Sequence, residues 1–377
     1  MRLIYLDNSS TTQPCAETVE KVTELLTKTW GNPSSLHSLG LAAEQEVARA
    51  RRAVARALGC TPEEIFFTSG GTEADNLALF GAAYARKKRG SHIVTTRIEH
   101  PAVLHTAEAL EREGFTVTWL SPDGQGRISP AQVREAIRPD TILVSMMAVN
   151  NEVGSLLPVA EAARAIAAKK APALLHVDAV QAFGKIALRP LRDHIDLMTV
   201  SAHKIHGPKG VGALFVKKGV RLAPRVFGGG QERGLRPGTE SAPLIAGFGA
   251  AVEALPGLKQ EEERIRGLNQ RLRARLAGIP GVSVHSGEDA LPYILSLSAC
   301  PVRAETMLHF LAARDIFVST GSACAKGKAS HVLAAMGLPR EEIASSLRVS
   351  FSRWNTEEDV DAFAAALQEG LNSLCSS

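Results

Sequence analysis

The sequence predicts an α/β protein: a mainly parallel seven-stranded sheet between helices, followed by a smaller α+β region. Three observations carry this expectation. Between Ile65 and Val216, seven short apolar runs alternate with stretches of helical periodicity, the pattern of strands buried on both faces and joined by helical crossovers. From Val282 onward, short strands and helices mix. The chain has 377 residues, 45% hydrophobic and 22% charged, enough for a large core and in keeping with two globular domains.

Taken in order, Tyr5–Thr12 is a short apolar start followed by small polar residues and Pro14, and reads as a loop. A helix is expected to about Thr29. Gly31-Asn32-Pro33-Ser34-Ser35 breaks the chain, and the serine pair is expected to cap the next helix. That helix carries Leu41, Val47, Val54 and Leu58 toward the core and stops at Gly59. The expected strands are Ile65–Thr68, His92–Thr95, Thr116–Leu120, Thr141–Ala148, Leu174–Asp178, Ile195–Val200 and Gly212–Val216. Gly228-Gly229-Gly230 marks a tight loop, and a long helix is expected from about Ala242. Lys259–Ala277 is strongly charged with helical periodicity. A boundary near Pro256 would divide the chain into a large unit of residues 15–256 and a small one of residues 1–14 and 257–377.

Composition narrows the function. The formal net charge of +4 is mild and its cations are dispersed, which argues against direct nucleic-acid binding. No apolar stretch reaches membrane-spanning length, and Asp7 comes too early for a signal peptide. Five scattered cysteines without Cys-x-x-Cys spacing form neither a disulfide framework nor a zinc site. A cytoplasmic protein without a metal is the expectation.

Chemistry concentrates in loops at strand ends, where α/β sheets bind ligands. In Ser201–Gly210, Lys204 follows a buried strand and precedes Gly207-Pro208. Such a lysine either snorkels to water or, desolvated, serves as a Schiff-base amine. Thr68–Asn76 joins a strand to a helix through Gly70-Gly71-Thr72, either a plain glycine turn or a phosphate cradle at a helix N-terminus. His100 beside Pro101 could stack on an aromatic ring, carry a proton, or be an ordinary loop histidine. Asn150-Asn151 can fix a polar ligand or merely make the turn. Asp178 closes a buried strand and needs a partner, which an internal cation, a helix end or a protonated pyridine nitrogen would provide. A phosphate cradle, a stacking residue, an acid for a ring nitrogen and a reactive amine are together what pyridoxal 5′-phosphate requires.

With these segments in order, the chain resembles the pyridoxal-phosphate-dependent cysteine desulfurases, fold-type I enzymes of the class V aminotransferase group. The resemblance runs from Tyr5–Thr12 through Gly31–His37, Thr68–Asn76, Val149–Gly154, His176–Lys185, Ser201–Gly210 and Gly228–Thr239 to Gly321–Cys324 and Arg348–Ser350. It implies that Lys204 bonds the cofactor and takes the substrate's α-proton. Asp178 would meet the pyridine nitrogen, Gln181 the ring oxygen, and His100 the ring face as stacking partner and proton carrier. Gly71, Thr72, Ser201 and His203 would hold the phosphate, with Thr239 reaching it from the other subunit of a homodimer. Asn151 and Arg348 would hold the carboxylate of L-cysteine, a role suited to a guanidinium fork. Cys324, in a small-residue segment beside Lys326 and Lys328, would be the nucleophile that receives sulfur as a persulfide.

Two departures bear on the acceptor. The segment after Cys324 is shorter and more basic than in housekeeping cluster-assembly desulfurases, and the chain stops at Ser377 without the longer tail that engages an iron–sulfur scaffold. Ala325–Lys328 is more like desulfurases of Gram-positive bacteria that serve transfer-RNA thiolation. A 4-thiouridine synthase is therefore an expected acceptor beside an iron–sulfur scaffold. The competing readings are a selenocysteine lyase or small-amino-acid aminotransferase of the same fold and, from another class, a non-catalytic module using His176, His203 and His206.

Overall fold

The computed structural model describes residues 3–320 and 329–374. A seven-stranded sheet runs in the spatial order Ile65–Thr68, Gly212–Val216, Leu197–Ser201, Leu174–Asp178, Thr141–Met147, His92–Thr96, Thr116–Leu120. Gly212–Val216 is antiparallel to both neighbours, and every pairing from Leu197–Ser201 outward to Thr116–Leu120 is parallel. Leu174–Asp178 and Leu197–Ser201 are buried at every position, which is why both read as unbroken apolar runs rather than as alternation. The expected Ile195–Val200 strand lies at Leu197–Ser201, so Ser201 is inside the sheet and paired with Gly212.

Helices Ala16–Thr27 and Ser38–Leu58 both pack on Ala242–Glu253. The approach is close: a Cβ on Gly249 would fall 2.7 Å from the Ala50 Cα. Gly59 ends Ser38–Leu58 at φ 71° as expected. The N-terminal cap differs from expectation, because Ser34 and Ser35 do not cap this helix. Asn32 accepts the Ser34 N–H at 2.9 Å in an Asx turn. The helix therefore starts later, with the His37 imidazole accepting the Gly40 N–H at 3.3 Å.

A second, four-stranded antiparallel sheet has the order Ser319–Thr320, Ser346–Ser350, Ile294–Ala299, Val282–Val284. The N-terminal segment joins this region first. Ile4–Tyr5 pairs with Ile316–Phe317, and Asp7 bridges to Ser350. It then crosses to the large sheet, where Thr12 N–H donates to the His203 carbonyl at 2.9 Å and Cys15 N–H to the His206 carbonyl at 3.0 Å. Residues 9–12 are thus held between the two sheets. Among the described residues no helix is long and apolar enough to cross a membrane.

One buried ion pair secures the sheet edge. Arg51 clasps Glu232 through both carboxylate oxygens at 2.7 and 2.8 Å, and Glu232 also accepts the Phe67 N–H at 3.1 Å. The Glu232 side chain is only 2% exposed, so removing it strands a guanidinium and an amide. Glu232→Ala is expected to lower unfolding stability by about 3–5 kcal/mol in a denaturant titration.

Candidate active site

Four parallel strands, Leu197–Ser201, Leu174–Asp178, Thr141–Met147 and His92–Thr96, bring their carboxyl ends to one edge. Ile65–Thr68 ends there too, since Gly212 pairs with both Thr68 and Ser201. All the loops singled out from the sequence leave this edge.

The first makes an anion cradle. Helix Gly71–Arg86 begins directly after Gly70, whose φ of 152° suits only glycine. A Cβ on Gly71 would sit 2.9 Å from Val180 Cγ2 and 3.9 Å from Ser201 Cβ, so the loop packs onto the turns that follow Asp178 and Ser201. Ser201 Oγ is buried there without a hydrogen-bond partner among the described residues. A hydroxyl beside the unpaired N–H groups of a helix start is a place for a phosphate. Thr72 is exposed at the second helical position. His203 lies in the turn Ala202–Lys204 with Nδ1 3.2 Å from Thr11 Oγ1. Burial, aided by Lys204 and Lys209, holds it neutral, down to about 3.

The second is a graded set of carboxyls. Asp178 is 6% exposed and accepts the Val180 N–H at 2.9 Å. Burial raises it to about 6, countered by that N–H and by Lys204. Behind it, burial and the Asp178 charge push Asp75 well up, and burial lifts Glu99 to about 8. His176 bridges Ser145 Oγ at 2.8 Å and Thr199 Oγ1 at 3.1 Å and, fully buried, stays neutral. At pH 7, Asp178 is therefore the ionised member of the set, and a cation such as a protonated ring nitrogen suits it.

The third loop carries His100, which caps helix Pro101–Arg112 by accepting the Ala102 N–H at Nδ1, 3.2 Å away. Nε2 is then the nitrogen left to carry a proton. Burial and Lys204 bring this imidazole down to about 4. His331, which the sequence reading did not single out, stands close enough to depress His100 further and donates from Nε2 to the Glu99 carbonyl at 3.0 Å.

The asparagine pair divides its work. Asn150 is consumed by the turn: its amide donates to the Ile98 carbonyl at 2.9 Å, and its oxygen accepts the N–H groups of Glu152 and Val153 at 2.9 and 3.0 Å. Asn151 is half-buried outside that network, and its carbonyl accepts from Arg348 at 2.9 Å. Arg348 reaches the site from the second sheet, also bonding Asp7 at 2.9 Å and Ser10 at 2.6 Å, while its Nε has no partner among the described residues.

Lys204 Nζ donates to the carbonyls of Ser9 at 2.5 Å and Ser10 at 2.8 Å. Gln181 donates to the same Ser9 carbonyl at 2.9 Å and accepts from Lys185 at 3.0 Å. Lys185 is a second buried amine that the sequence reading passed over. The signal was present, since Phe183-Gly184-Lys185-Ile186-Ala187-Leu188 is an apolar stretch around one charge.

Thr239 is exposed ahead of helix Ala242–Glu253, and its expected role belongs to a second copy of the chain. Cys324 lies outside the described residues. The flanks of its segment converge on the site: Ser319 pairs with Arg348, and Ser330 caps the helix that starts at His331 while donating to the buried Glu152. Together these groups could hold a ring bearing a phosphate and an amino acid carboxylate beside it.

The depressed imidazoles carry a stability consequence. His100, His176, His203 and His206 all lie well below their ordinary value through burial. Below about pH 6.5 the unfolded chain binds protons that these groups refuse when folded. Their contribution is complete above pH 6.5 and is lost as pH falls toward 4. Asp178, Glu99 and Glu152, raised by burial, work in the opposite sense over part of this range. The local signature is therefore separable by substitution. The melting-temperature loss between pH 6.5 and 4.5 is expected to shrink in His206→Gln, whose imidazole bonds the Gln13 carbonyl away from the carboxyl set.

Residues 4–363 match the family described as Aminotransferase class-V. A cysteine desulfurase IscS of Clostridium botulinum (strain Kyoto / Type A2) is 46% identical over 365 residues, spanning 95% of this chain and 91% of that protein. The solved structure of a NIFS-like protein superposes with a TM-score of 0.93 at 38% identity, covering 99% of this chain and 100% of that one. SspA in complex with cysteine aligns with a TM-score of 0.82 at 34% identity, covering 93% and 99%.

Proposed function

The chain belongs to the aminotransferase class-V family, and on that premise we propose that it is a pyridoxal-phosphate-dependent cysteine desulfurase that converts L-cysteine to L-alanine and passes the sulfur to an acceptor. The observation that carries this reading is the placement of Lys204 and the buried Asp178 at one strand edge, in a chain whose relatives along nearly its full length are named cysteine desulfurases.

The residues fit the cofactor. Ser201 Oγ, buried beside a helix start without a partner among the described residues, suits its phosphate, and the buried carboxyl of Asp178 suits its ring nitrogen. When bound, pyridoxal phosphate supplies an electron sink that stabilises negative charge at the carbon bearing the substrate's amino group. The chain supplies the rest. Lys204 holds and returns the proton of that carbon, and Asp178 keeps a proton on the ring nitrogen. His100, with Nδ1 committed to its helix, offers Nε2 to move a proton near the sulfur. Arg348 and Asn151 orient the carboxylate, which limits the substrate to an amino acid.

Sulfur transfer falls to Cys324. Its thiolate attacks the sulfur of bound cysteine, so that an S–S bond forms and the substrate's Cβ–S bond breaks. The electron pair leaves with Cβ, which takes up a proton and becomes the methyl of alanine. Cysteine and one thiol thus give alanine and one persulfide, with no outside oxidant. A homodimer with Thr239 crossing to its partner, and an iron–sulfur scaffold or a 4-thiouridine synthase as acceptor, complete the proposal. DndA from Streptomyces lividans, 42% identical with a TM-score of 0.77, shows that the same fold occurs in a protein of another name. For that reason the acceptor must be sought by trapping the persulfide.

The test is to incubate the purified protein with L-cysteine and weigh the tryptic peptide containing Cys324. One added sulfur atom, with alanine released, is the expected result. Alanine formation undiminished in Cys324→Ser would defeat the persulfide route and favour an aminotransferase or selenocysteine lyase.

A further inference from the structure

Lys185 is the buried group that this mechanism leaves without a task. It is 8% exposed, lies along a small pocket lined also by Lys204 and Tyr293, and has its ammonium 5.7 Å from the centre of the Tyr293 ring. A buried lysine is costly unless it is paired or used. Among the described residues no carboxylate forms an ion pair with it. Its hydrogen bond goes to the Gln181 side-chain oxygen at 3.0 Å, four residues back on the same turn.

The two ends of the Gln181 amide are chemically opposite, and the site reads both. The Ser9 carbonyl is an acceptor only and takes Nε2 at 2.9 Å. A charged lysine is a donor only and takes Oε1. Rotating the amide by half a turn would set oxygen against oxygen at Ser9 and N–H against ammonium at Lys185. The Ser9 carbonyl is shared, however, because it also accepts from Lys204 at 2.5 Å. It holds Gln181 while Lys204 comes and goes, whereas Lys185 has no second duty among the described hydrogen bonds.

We propose that Lys185 is a positioning residue that fixes the orientation of the Gln181 amide, so that Gln181 turns an N–H, and not its carbonyl, toward the ring oxygen of the cofactor. This rests on the pyridoxal-phosphate reading above. A donor at that oxygen favours the state in which the oxygen carries most negative charge, which is the state in which the nitrogen shared with Lys204 has lost its proton. Burial and the nearby cations Lys204 and Arg348 bring Lys185 itself down to about 7, and the amine keeps N–H donors on either side of that value.

The test is the pH titration of the visible absorbance of the cofactor-loaded protein, together with cofactor affinity measured by adding pyridoxal phosphate to the apoprotein. In Lys185→Met the spectral midpoint is expected to rise by about half to one pH unit, the worth of one hydrogen bond, and cofactor affinity to fall several-fold. Lys185→Arg, which still donates, is expected to restore most of both. The decisive comparison is made in a Gln181→Leu background, where adding Lys185→Met should change nothing further. A shift of the same size in that background would mean that Lys185 acts as a charge on Lys204, and would overturn the proposal. So would an unchanged midpoint in Lys185→Met. If wild-type protein forms no visible band, the cofactor reading itself fails, an outcome distinct from both.

Discussion

Lys204→Ala should abolish covalent capture of the cofactor by borohydride and lower alanine production from cysteine by roughly a hundred- to ten-thousand-fold, the usual contribution of a positioned acid–base group. The fold should tolerate the change. The Lys204 amine donates to the carbonyls of Ser9 and Ser10, and the Ser9 carbonyl keeps the Gln181 amide as a donor without it. Stability should therefore move little while activity collapses. Lys204→Arg should fail equally, since a guanidinium stays protonated and is no nucleophile. Absorbance, borohydride labelling and a melting curve on one preparation separate lost chemistry from lost structure. A variant that still makes alanine at the wild-type rate would remove Lys204 from the reaction.

Asp178→Asn should move activity and stability in opposite directions. The substitution keeps the oxygen that accepts the Val180 N–H but removes the charge that would face a protonated ring nitrogen. Losing one partner of a buried charge pair costs about 2–5 kcal/mol, so desulfuration should fall by some thirty- to several-thousand-fold. The cofactor-free protein should instead hold or gain stability at pH 7. There Asp178 carries its charge in a dry interior that already raises its pKa, and an amide carries no such charge to desolvate. The sign follows from linkage: a carboxyl raised above its unfolded value weakens the fold as pH climbs past the unfolded value, until it ionises in the folded state as well. The stability gain in Asp178→Asn should therefore grow between about pH 4 and 6. Equal loss of stability and activity would mean that Asp178 is a structural acid.

Much of this site was legible from residue order because the local physics is strong. Unbroken apolar runs between helical patterns can only be strands buried on both faces, and six of the seven expected strands keep their boundaries to within a residue. Parallel strands with helical crossovers must end on a common edge, so Asp178, His100 and Asn151 could be grouped before any coordinates. Gly59 and Gly70 marked a helix end and a strand-to-helix turn because few other residues adopt their φ values.

What sequence could not supply depends on distance through space. Ser34 and Ser35 had the right chemistry for a cap, yet their stretch folds into an Asx turn closed by Asn32, and the cap falls to His37, next to the start of the helix. Asn150 and Asn151 are indistinguishable in one dimension, and only burial assigns the first to the turn. Arg348 comes to the edge from the other sheet, and Ser9 from near the start of the chain. The order of ionisation among Asp75, Glu99 and Asp178 is decided by three carboxyls sharing one dry interior. Lys185 is the plainest case: its residue type suggests the surface, and only the packed turn around Gln181 turns it inward. The sequence by itself determined the strands, the edge on which they end and the chemical classes gathered there. The tertiary structure alone decided which polar atom meets which, because hydrogen bonding and desolvation act over ångströms that the chain crosses only once it is folded.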